Sequence, residues 1–305
     1  FSISPVQFTI AFKMMFMDFC AAYRSSRLKL NHSIGINPDG PEWGQLVRFL
    51  HHPFDDEEKQ GPFIAGDYSN FGPTLSMCIL EPVVEMILKW CEKYYTDCDE
   101  QHQTIRRCLL TELIHSKHLC GLFLYETLCG APSGSPITVE INSMVNDFYI
   151  FIAFKNLYQL SQPTVFTPDL FSRYIRYSTY GDDIIIHVCK KILPFFNMLT
   201  LHHFFKQYNI KFTPADKTTV NVLTVPVPKK LHEVTFLKRG FKQHPLYDQE
   251  FLAPLDIDIS VKEVMNWRSH IHDSKTGTEL SIEGCAANAF GHGPSVHENI
   301  LATCK

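Results

Sequence analysis

No Cys-x-x-Cys pair occurs in this chain, although it carries ten cysteines in 305 residues. That excludes the common zinc modules and thioredoxin-like redox pairs. The nearest zinc-like grouping, Cys91, Cys98, His102 and Cys108, fits no common spacing and falls in a helical stretch. With no secretory signal ahead of them, the cysteines read as reduced thiols. No apolar run reaches the ~20 residues of a membrane-spanning helix. The most apolar helix candidate, near 144–154, is interrupted by Asn146 and Asp147. Internal repeats and low-complexity tracts are missing too. Formal net charge is only −4, which argues against a surface built throughout for nucleic acid. The chain opens on Phe1 with no basic leader, and is expected to be a piece of a longer polypeptide.

What is present is ordinary globular material: 45% hydrophobic and 20% charged residues, enough for one large domain or two smaller ones. Apolar spacing predicts a long helix over 8–27, a short one over 42–51, and two more over 80–95 and 104–119. Strand patterns are expected at 63–66 and 121–129, and another helix at 195–208. The segment 213–217 is expected to turn. After about residue 245 the pattern becomes mostly helical, with breaks near Thr276-Gly277 and Gly291-His292-Gly293-Pro294.

Carboxylates stand out at two places. Tyr180-Gly181-Asp182-Asp183 lies between the strand-like runs 175–179 and 184–188, so a tight hairpin would hold both acids at its tip. Adjacent carboxylates repel, and a divalent cation relieves them; taken alone, the segment equally fits a plain Gly-Asp turn. Asp67 ends the buried strand, where sheet proteins commonly place ligand-binding groups. Between them, a loop from Gly130 to Pro136 leads into a helix over 137–158, with Ser133 or Ser135 as its cap. Thr138 and Asn142 are four residues apart and share one helix face. They either bond a ligand or satisfy their own backbone. Lys206, Lys211, Lys217, Lys229, Lys230, Lys238, Arg239 and Lys242 against Asp216 and Glu233 make one segment basic, either a solvated face or a polyanion contact.

In this order the segments resemble the palm of a viral RNA-dependent RNA polymerase of the picornavirus-like type, most like those of insect dicistroviruses and iflaviruses. Asp67-Tyr68-Ser69-Asn70-Phe71 matches that family's motif A, Pro132-Ser133-Gly134 through Thr138 to Asn142-Ser143 its motif B, and Tyr180-Gly181-Asp182-Asp183 its motif C. Thr213-Pro214-Ala215-Asp216-Lys217 is similar to motif D, and Phe236-Leu237-Lys238-Arg239 to motif E. The resemblance implies an α+β fold, a palm with an antiparallel sheet flanked by helices. It divides the chain into a fingers-to-palm segment over 1–60, the palm over 61–245 and the start of a helical thumb over 246–305.

The implied activity is that of a nucleotidyltransferase, an RNA-directed RNA polymerase using Mg²⁺, or Mn²⁺ in its place. Asp67, Asp182 and Asp183 would hold metal, and Lys217 would act as general acid for pyrophosphate. Ser133, Gly134, Thr138 and Asn142 would bind the nucleotide and its ribose, and Lys238 and Arg239 the primer. The implied partners are RNA template and primer, nucleoside triphosphates and other viral replication proteins. Those proteins would bring the chain to membrane-associated complexes in the host cytoplasm, since it has no transmembrane segment to do so. Two departures stand out. Gly72 replaces the second motif A aspartate, which shifts ribose recognition onto Asn142, Thr138 and Ser133. The basic fingers motif F is expected ahead of residue 1. A reverse transcriptase is disfavoured by Gly181, where those enzymes carry a larger residue, and an inactive RNA-binding palm by the joint presence of Asp67, Asp182, Asp183 and Lys217.

Overall fold

Ile184, Ile186 and Val188 alternate along one strand with Ile185 and His187, and the two sets bury into different cores. Successive side chains of a strand point to opposite faces. A nearly continuous apolar run therefore marks a strand covered on both sides. The computed structural model describes residues 4–52, 60–96, 99–127, 129–216, 229–258 and 274–303. Its first half contains α1 (Val6–Ser25), α2 (Glu42–His51), β1 (Gln60–Tyr68), α3 (Met77–Tyr94), α4 (Glu100–Ile114) and the hairpin of β2 (Lys117–Cys120) and β3 (Phe123–Glu126). Then follow α5 (Thr138–Ser161), α6 (Pro168–Tyr174), β4 (Ile175–Tyr180), β5 (Asp183–Cys189), α7 (Met198–Lys206) and β6 (Phe212–Pro214). A short pair, β7 (Lys242–Gln243) and β8 (Phe251–Leu252), precedes α8 (Ser274–Phe290) and α9 (Pro294–Thr303).

The fold is α+β. Its central sheet has the order β4-β5-β1-β6, and its strand pairs are antiparallel. One face, through Ile64, Tyr177, Ile184 and Ile186, packs on a large core shared with α1, α3, α4, α5 and α7. The other, through Phe63, Ala65 and Ile185, packs on Trp43, Leu46, Val47 and Leu50 of α2 and on Val234 and Phe236. α5 runs through the larger core and buries residues all round, including the polar Glu140, Asn142, Ser143 and Asn146.

Most expected elements are present, and the differences have local causes. The helix expected over 104–119 starts earlier, because Asp99 caps it by accepting from the His102 N–H at 2.8 Å. It also ends at Ile114; Leu119 lies instead in β2, and the strand expected over 121–129 is only the second arm of that hairpin. Asn197 and Thr200 form a capping box, so α7 begins at Met198 rather than Phe195. No side chain caps α5, contrary to the role expected of Ser133 or Ser135; its N-cap is Ile137. Thr213 and Pro214, expected in a turn, belong to β6. α8 continues through Thr276-Gly277, while the expected break at 291–293 separates it from α9. α6 was not anticipated; Thr167-Pro168-Asp169 carried its start signal. None of the described cysteines is in a disulfide. Among the described residues, no helix is long and apolar enough to cross a membrane.

One close approach shapes the strand that carries Asp67. A Cβ on Gly66 would fall 2.0 Å from Cζ of Phe212, a fully buried ring. Gly66→Ala is expected to cost about 1–3 kcal/mol by overpacking, read as a lower urea midpoint. An unchanged midpoint would mean that the ring moves aside without cost.

Candidate active site

The Gly-Asp-Asp segment is a two-residue hairpin turn. Tyr180 pairs with Asp183 across it, and Gly181 alone takes a left-handed φ, +63°. Glycine at the first central position with no positive φ at the second is the pattern of a type II′ turn, which matches the twist of its strands. A side chain at Gly181 would find space, with Val139 and Asn142 at 3.9 and 4.0 Å, so the backbone conformation is what calls for glycine. Asp182 is thereby exposed at the tip, and Asp183 opens β5 half-buried.

Asp67 reaches the same place from another strand. The β1–β5 ladder ends with Gly66 opposite Ile184, so the next step along each strand brings Asp67 towards Asp183. On its other side Asp67 faces Thr213 of β6. Directly opposed residues of antiparallel strands have Cβ atoms about 4.5–5.5 Å apart. Two acids distant in sequence are thus neighbours at one end of the sheet.

The turn is held from below by α5. The Gly181 N–H donates to Ser143 Oγ at 2.8 Å, and Asn146 Nδ2 donates to the Gly181 carbonyl at 3.1 Å and the Asp182 carbonyl at 3.4 Å. The Tyr68 hydroxyl donates to Asn146 Oδ1 at 3.1 Å. Ser143 and Asn146 have no accessible surface and Tyr68 almost none. None of the three was singled out in the sequence for a role at the site. For Ser143 and Asn146 the signal was available as polar residues three apart on one face of a largely apolar helix; Tyr68, on β1, gave none.

The expected nucleotide-binding residues divide. Asn142 is 8% exposed beside the turn, and its Oδ1 is buried without a hydrogen-bond partner. An orphaned acceptor of that kind is unusual in a folded protein and suits a hydroxyl donor from a ligand. The Thr138 hydroxyl, in contrast, is absorbed by its own loop, donating towards the carbonyls of Pro132, Ser133 and Ser135 at 3.0–3.2 Å. Ser133 and Gly134 lie exposed on that loop. Gly72, noted in the sequence as standing in place of a second aspartate, accepts from the Ala131 N–H at 3.0 Å and so fastens the strand-end loop to the loop before α5.

Phe236-Leu237-Lys238-Arg239 forms a second tight turn, closed by reciprocal bonds between Phe236 and Arg239 at 2.9 and 3.0 Å. Leu237 and Lys238 both adopt left-handed φ values, +55° and +61°, at a cost of about 1–2 kcal/mol each. Lys238 is exposed at the tip. Arg239 is turned inward, donating to Asp39 at 3.0 Å and the Ala253 carbonyl at 2.9 Å, so its guanidinium already has structural partners. Asp216 pairs with Lys229; Lys217, the next residue, lies outside the described residues.

Among the described residues, no three or more His, Cys, Asp or Glu side chains gather into a ready-made metal cage. The donor set still fits magnesium. Asp67, Asp182 and Asp183 offer hard carboxylate oxygens, and Mg²⁺ at nucleotide sites takes one or two carboxylates and completes its shell with phosphates and water.

Behind the turn sits a buried acid. Asp147 of α5 accepts from the Thr179 hydroxyl at 3.4 Å and lines a cavity of about 460 Å³ with Tyr23, Met144 and Tyr177. Part of the residue reaches solvent, but its carboxyl is enclosed, and burial pushes its pKa well above the usual carboxylate range against the bonds from Thr179 and Tyr177. The folded chain therefore holds this proton more tightly than the unfolded chain. The stability it contributes is full below about pH 4 and declines as pH rises towards the folded pKa. Asp147→Asn, which stays neutral, is expected to raise Tm at pH 7–8, with the gain shrinking as pH falls towards 4. A gain independent of pH would contradict the assignment.

Three comparisons bear on this arrangement. The family model described as viral RNA-dependent RNA polymerase matches residues 1–304. The chain is 36% identical over 311 aligned positions to the genome polyprotein of Deformed wing virus, covering 100% of the chain and 10% of the polyprotein. It is 30% identical over 300 positions to the replicase polyprotein of Acute bee paralysis virus, covering 96% and 15%. Among solved structures it resembles the Sicinivirus 3Dpol RNA dependent RNA polymerase with a TM-score of 0.75 at 24% identity, over 98% of this chain and 56% of that one. The chain thus spans a small part of these polyproteins and little more than half of the solved polymerase.

Proposed function

The chain belongs to the viral RNA-dependent RNA polymerase family, and on that premise we propose that it forms the palm-centred part of an enzyme that extends RNA on an RNA template. The reaction is attack by a primer 3′-hydroxyl on the α-phosphate of a nucleoside triphosphate, with pyrophosphate leaving. The observation that carries this reading is the convergence of Asp67 with the Asp182-Asp183 turn at one end of the sheet. These three carboxylates would hold Mg²⁺, which supplies charge neutralisation for the attacking and leaving oxygens.

The chain's own residues do the rest. Asn142 accepts a ribose hydroxyl at its unpartnered Oδ1, while the Ser133-Gly134 loop, tied down by Thr138, lies along the nucleotide. Lys238 meets primer phosphate, a contact that positions without reading sequence. Arg239 supports that turn from behind, through Asp39 and Ala253. Lys217, next to Asp216 in the motif D segment, donates the proton to the leaving pyrophosphate. We assign 1–60 to the fingers-to-palm segment, 61–245 to the palm and 246–305 to the thumb. The kinship with viral replicase polyproteins supports work inside host cells beside other viral replication proteins, which would supply any attachment to membranes.

The test is primer extension by the complete enzyme on an RNA template with Mg²⁺. Template-directed incorporation that stops on chelation is expected, and none with either Mg²⁺ or Mn²⁺ would overturn the proposal. In the same assay Asn142→Ala is expected to weaken preference for ribo- over deoxynucleotides by about tenfold, the worth of one hydrogen bond. Unchanged preference would remove that role.

A further inference from the structure

We propose that Asn146 is a positioning residue that sets the Asp182 carboxylate relative to Asp67, with the Tyr68 hydroxyl as its brace; this rests on the polymerase reading above. Asn146 lies one helical turn beyond Asn142 and does a different job. Asn142 leaves an acceptor open beside the turn, whereas the Asn146 amide has no accessible surface and is engaged at both ends. Its carbonyl oxygen receives the Tyr68 hydroxyl, and its NH₂ group donates to two successive carbonyls of the turn, those of Gly181 and Asp182. Only one orientation of the amide is consistent with this. Flipped, its oxygen would face two carbonyl oxygens, and its NH₂ would face the hydroxyl.

The placement matters because no β1–β5 pair fixes Asp67 against Asp183, although each is paired on its other side, with Thr213 and Tyr180. The β1–β5 ladder closes at Gly66 and Ile184, and Asp67 and Asp183 come one step later. Tyr68 directly follows Asp67. Strand alternation sends its side chain to the face opposite that of Asp67, into the core, where it is 3% exposed. The path from Tyr68 through Asn146 to the Gly181 and Asp182 carbonyls therefore joins the backbone of one acid to the backbone of another. With Ser143 holding the Gly181 N–H, the turn is held by its N–H and carbonyls, with Asp182 exposed at its tip. An amide that sets the spacing of two metal-binding acids acts on the rate, since misplacement of about 1 Å at a reacting centre costs about 10²-fold.

Asn146→Leu, close in size and unable to hydrogen-bond, and Tyr68→Phe, lacking a single hydroxyl, test this in the complete enzyme. Asn146→Leu is expected to lower kcat by about 30- to 100-fold with KM for nucleotide within about threefold. It should also weaken Mn²⁺ binding to the nucleotide-free protein, measured by electron paramagnetic resonance, by about tenfold. Tyr68→Phe should move both readouts in the same direction by about three- to tenfold. The double variant should be no worse than Asn146→Leu, because the hydroxyl acts through the amide. The inference fails if, per folded molecule counted by circular dichroism, both variants keep kcat and Mn²⁺ affinity within twofold, or if their effects multiply independently. Should Asn146→Leu not fold, Tyr68→Phe decides alone on the same two readouts. Asp182→Asn run alongside separates the two readings. If it retains incorporation, the polymerase site is misassigned; if it is inactive while the Asn146 and Tyr68 variants are normal, only the positioning role falls.

Discussion

Asp182→Asn is expected to reduce single-nucleotide incorporation by the complete enzyme at least about 10³-fold, about 4 kcal/mol in barrier, while Tm stays within a few degrees. The substitution keeps the size of the side chain and removes its charge. The turn's backbone is held by bonds that do not use that charge: the Tyr180–Asp183 pairing closes it, Ser143 takes the Gly181 N–H, and Asn146 holds the Gly181 and Asp182 carbonyls. Asp182 is exposed at the tip, so the change is made at the surface and not in the core. What goes is a hard anionic oxygen where Mg²⁺ would bind, and amide oxygens replace carboxylates poorly around that ion. Asp183→Asn is expected to be milder, because Asp183 sits in the ladder itself and is read as a weaker or outer ligand. Near-normal incorporation by Asp182→Asn would sink the metal assignment, and a collapse in Tm would show the carboxylate to be structural.

Arg24→Met is expected to destabilise the fold by about 3 kcal/mol, with no contact to substrate. Glu140 stands in the first turn of α5, fully buried, and its Oε1 is bonded to the Arg24 guanidinium of α1 at 2.6 Å; its Oε2 has no hydrogen-bond partner. Removing one member of such a pair leaves an uncompensated charge in the interior, at about 3–5 kcal/mol in comparable cases. Arg24 is half exposed, so water screens part of the loss and the lower end of that range applies. The double variant Arg24→Met/Glu140→Met should recover much of the stability, because it removes the stranded charge along with its partner. Urea midpoints measure both. A single-variant loss below about 1 kcal/mol would place the pair among surface ion pairs of little worth. The site should feel the change as well, since the helix that Glu140 anchors also carries Asn142, Ser143 and Asn146 to the turn.

Much of the site could be read in the chain before any fold was known. Gly181-Asp182 between two β-branched runs is a hairpin signal of short range, and the structure places the turn there. Asp67 at a strand end and a helix entering at 138 were also legible, because strand and helix periodicities are local properties. Boundaries were less so. Asp99 and Asn197 moved helix starts through caps, while the arms of the 117–126 hairpin, too short to show a period, left its first strand hidden at the end of an expected helix. Asn146 and Asp147 had been noticed only as interruptions of an apolar run. That one supports the turn and the other is a buried acid behind it depends on what α5 packs against. Arg239 looked interchangeable with Lys238 in sequence, yet Asp39, two hundred positions away, takes it.

By itself, then, the sequence determined the element types, the order of the acidic and polar segments, and the family to which that order belongs, because local periodicity and turn chemistry act over a few residues. Only the tertiary structure decided that Asp67 and Asp183 become neighbours, that Asn142 keeps an open acceptor while Thr138 does not, and that a single buried amide ties Tyr68 to the Asp182 backbone. Such contacts join residues far apart in the chain, and they form only when antiparallel register and helix packing, set by burial on both faces of one sheet, bring them to the same end of it.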